Sequence, residues 1–435
     1  MDKKQKYMNW ATTLLQAIIF FALGIFILRS TNTFLGFVVY GVSFGFIGVG
    51  LLQTIKNIFY KTEKILPVNF VYSLGNILVG AFILYKPEMF VDIFPLLLTF
   101  YVLIDAVVKT ITFILYRNND IKPRFSILIK CLISYIFFFI LIFHPLFRGQ
   151  VTYIIVGIYF ILFGITYLFD SIDSLIPVEK KREIKKRVRI TLPVFIAAFI
   201  PKKALEEINE VFNDNDENRV KIVKQNIEPD IEVFVHIGRK GFGSFGHVDL
   251  YFDERVISYG SYDEANIVLF SAIGDGVLFE TNKNKYMDFC NEHVEKTLVG
   301  FGLKLTNTQK EAIRTKLDEI KSVTYPWEPE AKLHPEKEYT DYASRLYKAT
   351  DSKFWKFTGS KFKTYFALNT NCVLLADQLI GASGIDILKI SGIITPGTYY
   401  DYFNREFERQ NSIVVSKNIY KEDMKSKIQE DKNKD

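Results

Sequence analysis

Hydrophobic and polar positions divide the chain at about residue 177. Before it, apolar residues run in long stretches, each near the roughly 20 residues a helix needs to cross a bilayer. Six spans are predicted, at roughly 10–28, 33–54, 66–85, 89–115, 125–143 and 151–170. They pair into three hairpins. The segments "GIFILRSTNTFLGFVVYGVSFGFIGVG", "GAFILYKPEMFVDIFPLLLTFYVLIDA" and "FFFILIFHPLFRGQVTYIIVGIYFILFG" read as three copies of one unit: a span, a short polar break, a second span. Pro87 and Pro145 fall in equivalent breaks, with Thr31 in the first copy; Gly24 matches Gly80, and Gly50 matches Gly164. Small residues at such places let helices approach closely.

After Pro177 the pattern becomes that of an α+β domain. "IEVFVHIG", "HVDLYF", "RVISYG" and "GVLFETN" are short runs bounded by glycine or charge, and predict strands. "NKYMDFCNEHVEK" and "TNTQKEAIRTKLDEIKSV" have helical spacing, the second opening at a Thr or Asn cap. "LNTN" then caps an apolar helix, "CVLLADQLI", which Gly381 or Gly384 ends. "YPWEP" reads as a rigid aromatic loop. The predicted layout is a six-span membrane domain at 1–176, a basic juxtamembrane linker at 177–229, an α+β domain at 230–415, and a charged, disordered tail at 416–435.

Charge refines this picture. The net charge of +6 is spread over lysine-rich connectors, which argues against a nucleic-acid partner. Lys3, Lys4, Lys6, Lys56, Lys61, Lys64, Arg117, Lys122, Arg124 and the run "EKKREIKKRVR" lie on one side of the spans, against only Arg29, Lys86 and Arg148 on the other. Positive charge marks the cytoplasmic side, so both termini are expected there, in a multi-pass cell-membrane protein. The basic run suits anionic headgroups. "ITLPVFIAAFIP" is too short to span, and is expected to lie on the membrane or on the soluble domain. The first span has no small-residue cleavage site and reads as a retained anchor. Asp105 and Lys109, four apart near the end of span four, are read as an interfacial pair with a snorkelling lysine. Cys131, Cys290 and Cys372 show no C-x-x-C spacing, which argues against a disulfide framework or a zinc site.

The chemistry concentrates in the α+β part. "GFGSFGHV" fits the glycine-loop pattern of kinases, but no V-A-I-K, H-R-D or D-F-G follows. The glycines instead read as a mobile turn presenting His247 at the start of a strand. Cys372 falls on the first turn of its helix, where backbone N–H groups and the helix dipole favour a thiolate and can hold an oxyanion. A free cysteine is most often a core residue. The helix-start position and an upstream histidine tip Cys372 toward a nucleophile, with His247 as its base and His236 as the competing base. Cys131 and Cys290 read as structural, and His293 and His334 as surface residues.

Two resemblances follow from these motifs. Residues 10–172, through the small residues and prolines of the triplicated hairpin, resemble the HdeD-type family of six-span bacterial membrane proteins. "SFGHVDLYFDERVISYGSY" followed by "NTNCVLLADQLI", flanked by "LTNTQKEAIRTKLDEI" and "ITPGTYYDYF", resembles the circularly permuted papain-like superfamily. That group includes NlpC-related hydrolases and the lecithin:retinol acyltransferase type. The resemblance implies Cys372 as nucleophile and His247 as general base. The superfamily's third polar residue falls by spacing at Tyr259, with Ser258 beside it; Asp249, two residues after His247 on the same strand face, is the second choice. The implied activity is a membrane-tethered thiol hydrolase or acyltransferase cutting an amide, ester or thioester, with no metal or cofactor. Its expected partners are the bilayer and a lipid, lipidated protein or peptide substrate; peptidoglycan would need the opposite topology. The alternative is a non-enzymatic, stress-related membrane protein whose papain-like domain binds or regulates. Transport is a third, weaker reading, because the spans carry few internal charges.

Overall fold

The computed structural model describes residues 3–59, 67–122, 124–175, 219–223, 227–238, 245–269, 272–293, 296–385, 396–408 and 412–420, and the statements below concern these. The basic run, the "ITLPVFIAAFIP" segment, the glycine turn at 239–244 and everything past 420 lie outside them. The chain forms two compact units, one of residues 8–110 and 128–171, the other of 1–7, 111–127 and 172–435.

Six helices open the chain: α1 (Lys3–Arg29), α2 (Thr31–Phe59), α3 (Pro67–Tyr85), α4 (Pro87–Asn118), α5 (Arg124–Phe143) and α6 (Pro145–Leu175). Each even helix of the three hairpins begins at Thr31, Pro87 or Pro145, where the fixed φ of proline suits the first helical position and its missing N–H costs no bond. Five helices are long and apolar enough to cross a membrane; the apolar stretch of α3, Phe70–Tyr85, is shorter.

Within the 8–110/128–171 unit the hairpins interlock, each even helix packing on the odd helix of another hairpin. Gly50 of α2 faces Ser73 and Ile77 of α3, and Gly80 of α3 faces Ser43 and Ile47 of α2. Gly24 of α1 faces Gly157 and Ile161 of α6, and Gly164 faces Ala17 and Phe21 of α1. Between α4 and α5, Lys109 is ion-paired with Asp105 and donates to Ser134 Oγ at 2.8 Å, while Ser134 donates to Asp105 at 3.0 Å. The pair, expected at an interface, thus bridges two helices.

The α+β region is built on a nine-stranded sheet in the order β1-β11-β7-β2-β3-β4-β6-β9-β8, every pair antiparallel. Its strands are β1 (Arg219–Val223), β2 (Ile231–Gly238), β3 (Phe245–Phe252), β4 (Arg255–Gly260), β6 (Val277–Asn282), β7 (Lys296–Leu303), β8 (Thr324–Trp327), β9 (Lys353–Phe357) and β11 (Val414–Tyr420). β5 (Ile273–Asp275) and β10 (Thr364–Phe366) form a separate two-stranded ladder. The helices are α7 (Lys283–His293), α8 (Asn307–Lys321), α9 (Glu330–Leu333), α10 (Tyr342–Thr350), α11 (Cys372–Ala382) and α12 (Pro396–Glu408).

Strand alternation sends side chains to two apolar layers. Val233, Val235, Val248, Leu250 and Tyr259 meet α8, α11 and α12; Phe234, Val256 and Phe279 meet α7 and α10. The layout differs from the sequence reading at both ends of this region. β1 lies inside the stretch read as linker. Residues 416–420, read as disordered tail, are the buried body of β11, tied down by a 2.6 Å bond from Asn418 Nδ2 to Glu232 Oε1. "YPWEP" supplies edge strand β8, where Pro326 is tolerated because an edge residue can leave its N–H side unpaired.

Candidate functional site

Cys372 is the first residue of α11 and is held there by its predecessor. Asn371 is the N-cap, its Oδ1 accepting the Leu374 N–H at 3.2 Å and its carbonyl that of Leu375 at 3.3 Å. A helix leaves its first four N–H groups without intrahelical acceptors. The Asn371 side chain serves the third of these, and its carbonyl takes the first regular helix bond. The loop before the helix is also tied down: Asn369 Nδ2 donates to Thr112 Oγ1 at 2.8 Å, within the unit that contains residues 111–127.

α11 packs on β3 and β4, and this brings the thiol to His247. The thiol lies near enough to the imidazole to act on its protonation. His247 Nε2 lies 2.8 Å from Ser258 Oγ and 2.9 Å from Tyr262 OH, which are themselves 2.7 Å apart. The same nitrogen stands 2.8 Å from Asp249 Oδ1, off the hydrogen-bonding direction, so this is a charge contact and Oδ1 has no aligned donor among the described residues.

Asp249 is the hub behind the imidazole. Its Oδ2 accepts from His236 Nε2 at 2.6 Å and from Tyr286 OH at 2.6 Å. Its side chain is fully buried. Burial by itself would raise the Asp249 pKa, but the charges of His247 and His236 and the hydrogen bond from His236 hold it well below the usual carboxylate range. Burial alone would likewise lower the His247 pKa. Asp249 and Cys372 outweigh it through charge and hydrogen bonding and raise it from 6.5 to about 10. Burial, with Tyr342 and then Asp249 as the next contributions, pushes Tyr262 well above its ordinary value; burial and Asp249 do the same for Tyr286. Both phenols therefore keep their protons. The arrangement favours an imidazolium beside Cys372, the partner a thiolate needs.

The four residues singled out from sequence thus separate. Cys372, His247 and Asp249 come together. Tyr259, ranked first as the imidazole's partner, does not join them: its OH donates to Phe362 O at 3.0 Å on the layer facing α11. Its neighbour Ser258 takes the place instead, because adjacent strand residues point to opposite faces. His236, the competing base, binds Asp249 rather than the thiol. Tyr262 and Tyr286 escaped the sequence reading altogether. The thiol is covered: Cys372 is 2% exposed and the His247 side chain 15%.

Comparison with protein families, with curated proteins and with solved structures finds no match to this chain.

Proposed function

We propose that the α+β region is a thiol hydrolase or acyltransferase of the circularly permuted papain-like kind, tethered by six membrane spans with both termini in the cytoplasm. The observation that carries this reading is the convergence of a helix-start cysteine, a histidine and a buried carboxylate, the carboxylate 2.8 Å from the imidazole and the thiol near enough to act on its protonation. Cys372 Sγ attacks the carbonyl carbon of an amide, ester or thioester. The thiol proton passes to His247 and from it to the leaving group as the acyl–sulfur bond forms and the old bond breaks. The Cys372 and Val373 N–H groups receive the oxyanion. Asp249 balances the imidazolium, and Ser258 and Tyr262 fix its ring. Water or an acceptor alcohol or amine, deprotonated by His247, then releases the acyl group. Tethering at the cytoplasmic face favours an acyl substrate from the membrane, a lipid or lipidated protein, over a free peptide.

The burial of Cys372 favours one second reading, a binding or regulatory domain whose thiol is never exposed to substrate. Intact-mass analysis of the full chain after incubation with p-nitrophenyl butyrate separates the two. The enzyme reading predicts one butyryl adduct, lost in Cys372→Ser and slow to hydrolyse in His247→Ala. A chain that stays unmodified over hours sinks the enzyme reading.

A further inference from the structure

The three hairpins repeat with an offset of 56 and then 58 residues, and their contacts repeat with it. Phe20, Asn76 and Ser134 are equivalent on the odd helices; Gln53, Lys109 and Tyr167 are equivalent on the even ones. Asn76 donates to Gln53 at 3.1 Å, Lys109 to Ser134 at 2.8 Å, and Tyr167 stacks on Phe20 at 5.2 Å between centroids. One seam position is thus filled three times, by an amide pair, an ion-assisted pair and an aromatic pair. The seams join α2 to α3, α4 to α5 and α6 to α1, so the hairpins close into a ring.

A ring of this kind has a middle, and the even helices line it. A cavity of about 260 Å³ lies among Phe34, Leu35 and Val38 of α2, Phe90 and Val91 of α4, and Tyr153 of α6 and their neighbours. Phe34 and Phe90 are equivalent positions of their repeats, as are Leu35 and Val91. The one polar atom among these side chains, the Tyr153 hydroxyl, is consumed by a 2.9 Å bond to Val91 O. Water needs two to four polar partners and finds none here, whereas a dry cavity of about 150 Å³ already binds benzene. Ile93, half exposed, stands at the rim.

The geometry points to a binding site for a single hydrocarbon chain at the centre of the helical ring, filled by the alkyl tail of a membrane lipid. The occupant follows from the surroundings. Five of the six helices of the ring, including the three that line the cavity, are long and apolar enough to cross a membrane, so acyl chains are the solvent at the rim. No charged or unpaired polar side chain lines the cavity to hold a headgroup, so the chain end enters and the headgroup stays outside. An empty void leaves its wall atoms without dispersion partners, and a tail supplies them. This site is independent of the Cys372 chemistry.

The test uses the full chain in nanodiscs of phosphatidylcholine doped with a phosphatidylcholine that carries a diazirine near the end of one acyl chain. After photolysis, crosslinked peptides are mapped by mass spectrometry. Crosslinks are expected on Leu35, Val38 and Val156, and are expected to fall at least about fivefold in Val156→Phe and in Leu35→Phe, which fill the void from different helices. Crosslinks to the outward-facing Leu97 and Ile155 serve as the control and stay constant. Thermal melting in detergent checks that each variant folds, and one folded filling variant suffices. Crosslinks confined to the outer face, or undiminished on filling, overturn the proposal. A chain that fails to enter nanodiscs at all would overturn the membrane reading instead.

Discussion

Asp249→Asn keeps the shape of the hub behind His247 and removes its charge. In the wild type the carboxylate is fully buried, 2.8 Å from the His247 imidazole, and is the leading influence that raises that imidazole toward pKa 10. An opposite charge at this range raises or lowers a pKa by about 1–3 pH units. At about 1.4 kcal/mol per unit, the thiolate–imidazolium pair loses roughly 1.4–4 kcal/mol relative to the neutral pair, a ten- to thousandfold fall in its equilibrium constant. The assay is a ¹³C NMR pH titration of protein labelled at histidine Cε1. The chain has five histidines, so the His247 resonance is assigned by one substitution each. Wild-type His247 should stay charged across pH 6 to 8; in Asp249→Asn it should titrate at least about one unit lower. Iodoacetamide labelling of Cys372 near pH 7 should slow about tenfold or more. Unchanged titration and unchanged labelling would refute the hub role of Asp249.

Four further outcomes follow. Tyr259→Phe orphans the buried Phe362 carbonyl, so the urea midpoint should drop by about 1–3 kcal/mol of stability while Cys372 labelling holds its rate. Asn371→Ala removes the cap of α11 and should cost about 0.5–2 kcal/mol, read as a lower unfolding midpoint. A Cβ on Gly24 would lie 2.7 Å from Ile161 Cγ1 and 2.8 Å from Gly157 O, whereas nothing lies within 4 Å of one on Gly36; Gly24→Ala should melt well below wild type in detergent, and Gly36→Ala should match it. Because the folded His247 pKa is raised, the stability it contributes is complete below pH 6.5 and is lost as pH rises toward about 10; Asp249, with its lowered pKa, contributes above its ordinary value of 3.8 and loses that contribution in stronger acid. Urea midpoints from pH 3 to 10 should show both flanks, and His247→Gln should flatten the alkaline one.

Much of the site could be read from local sequence because local rules govern its parts. "NTNC" announces a cap and a helix start, and Thr306 with Gln309 forms the capping box its spacing suggests. β2, β4 and β6 follow from short apolar runs between turns. What escaped depends on distant partners. β7 was hidden by Gly300 and Gly302, poor strand formers that sit in the sheet because a Cβ there would strike Glu232 Oε1 at 2.2 Å and Ser416 Oγ at 2.3 Å. β11 was hidden by its polar residues, which are buried only because Glu232 and Asn404 receive Asn418 and Lys417. The choice of Tyr259 over Asp249 failed for a similar reason. Position along the chain placed Tyr259 suitably, but the pleat turns it to the opposite face from Ser258. Tyr262 and Tyr286 reach the site from beyond β4 and from α7, contacts that no short window contains.

The pairing of Cys372 with His247 is tested most directly by the rate at which iodoacetamide alkylates Cys372 in the full-length protein at pH 7, in the wild type and in His247→Ala. An activated pair predicts fast wild-type alkylation, nearly independent of pH from 6 to 9, and a fall of tenfold or more in His247→Ala. Equal rates in the two proteins, both rising only in alkali, would show an ordinary buried thiol and contradict the account.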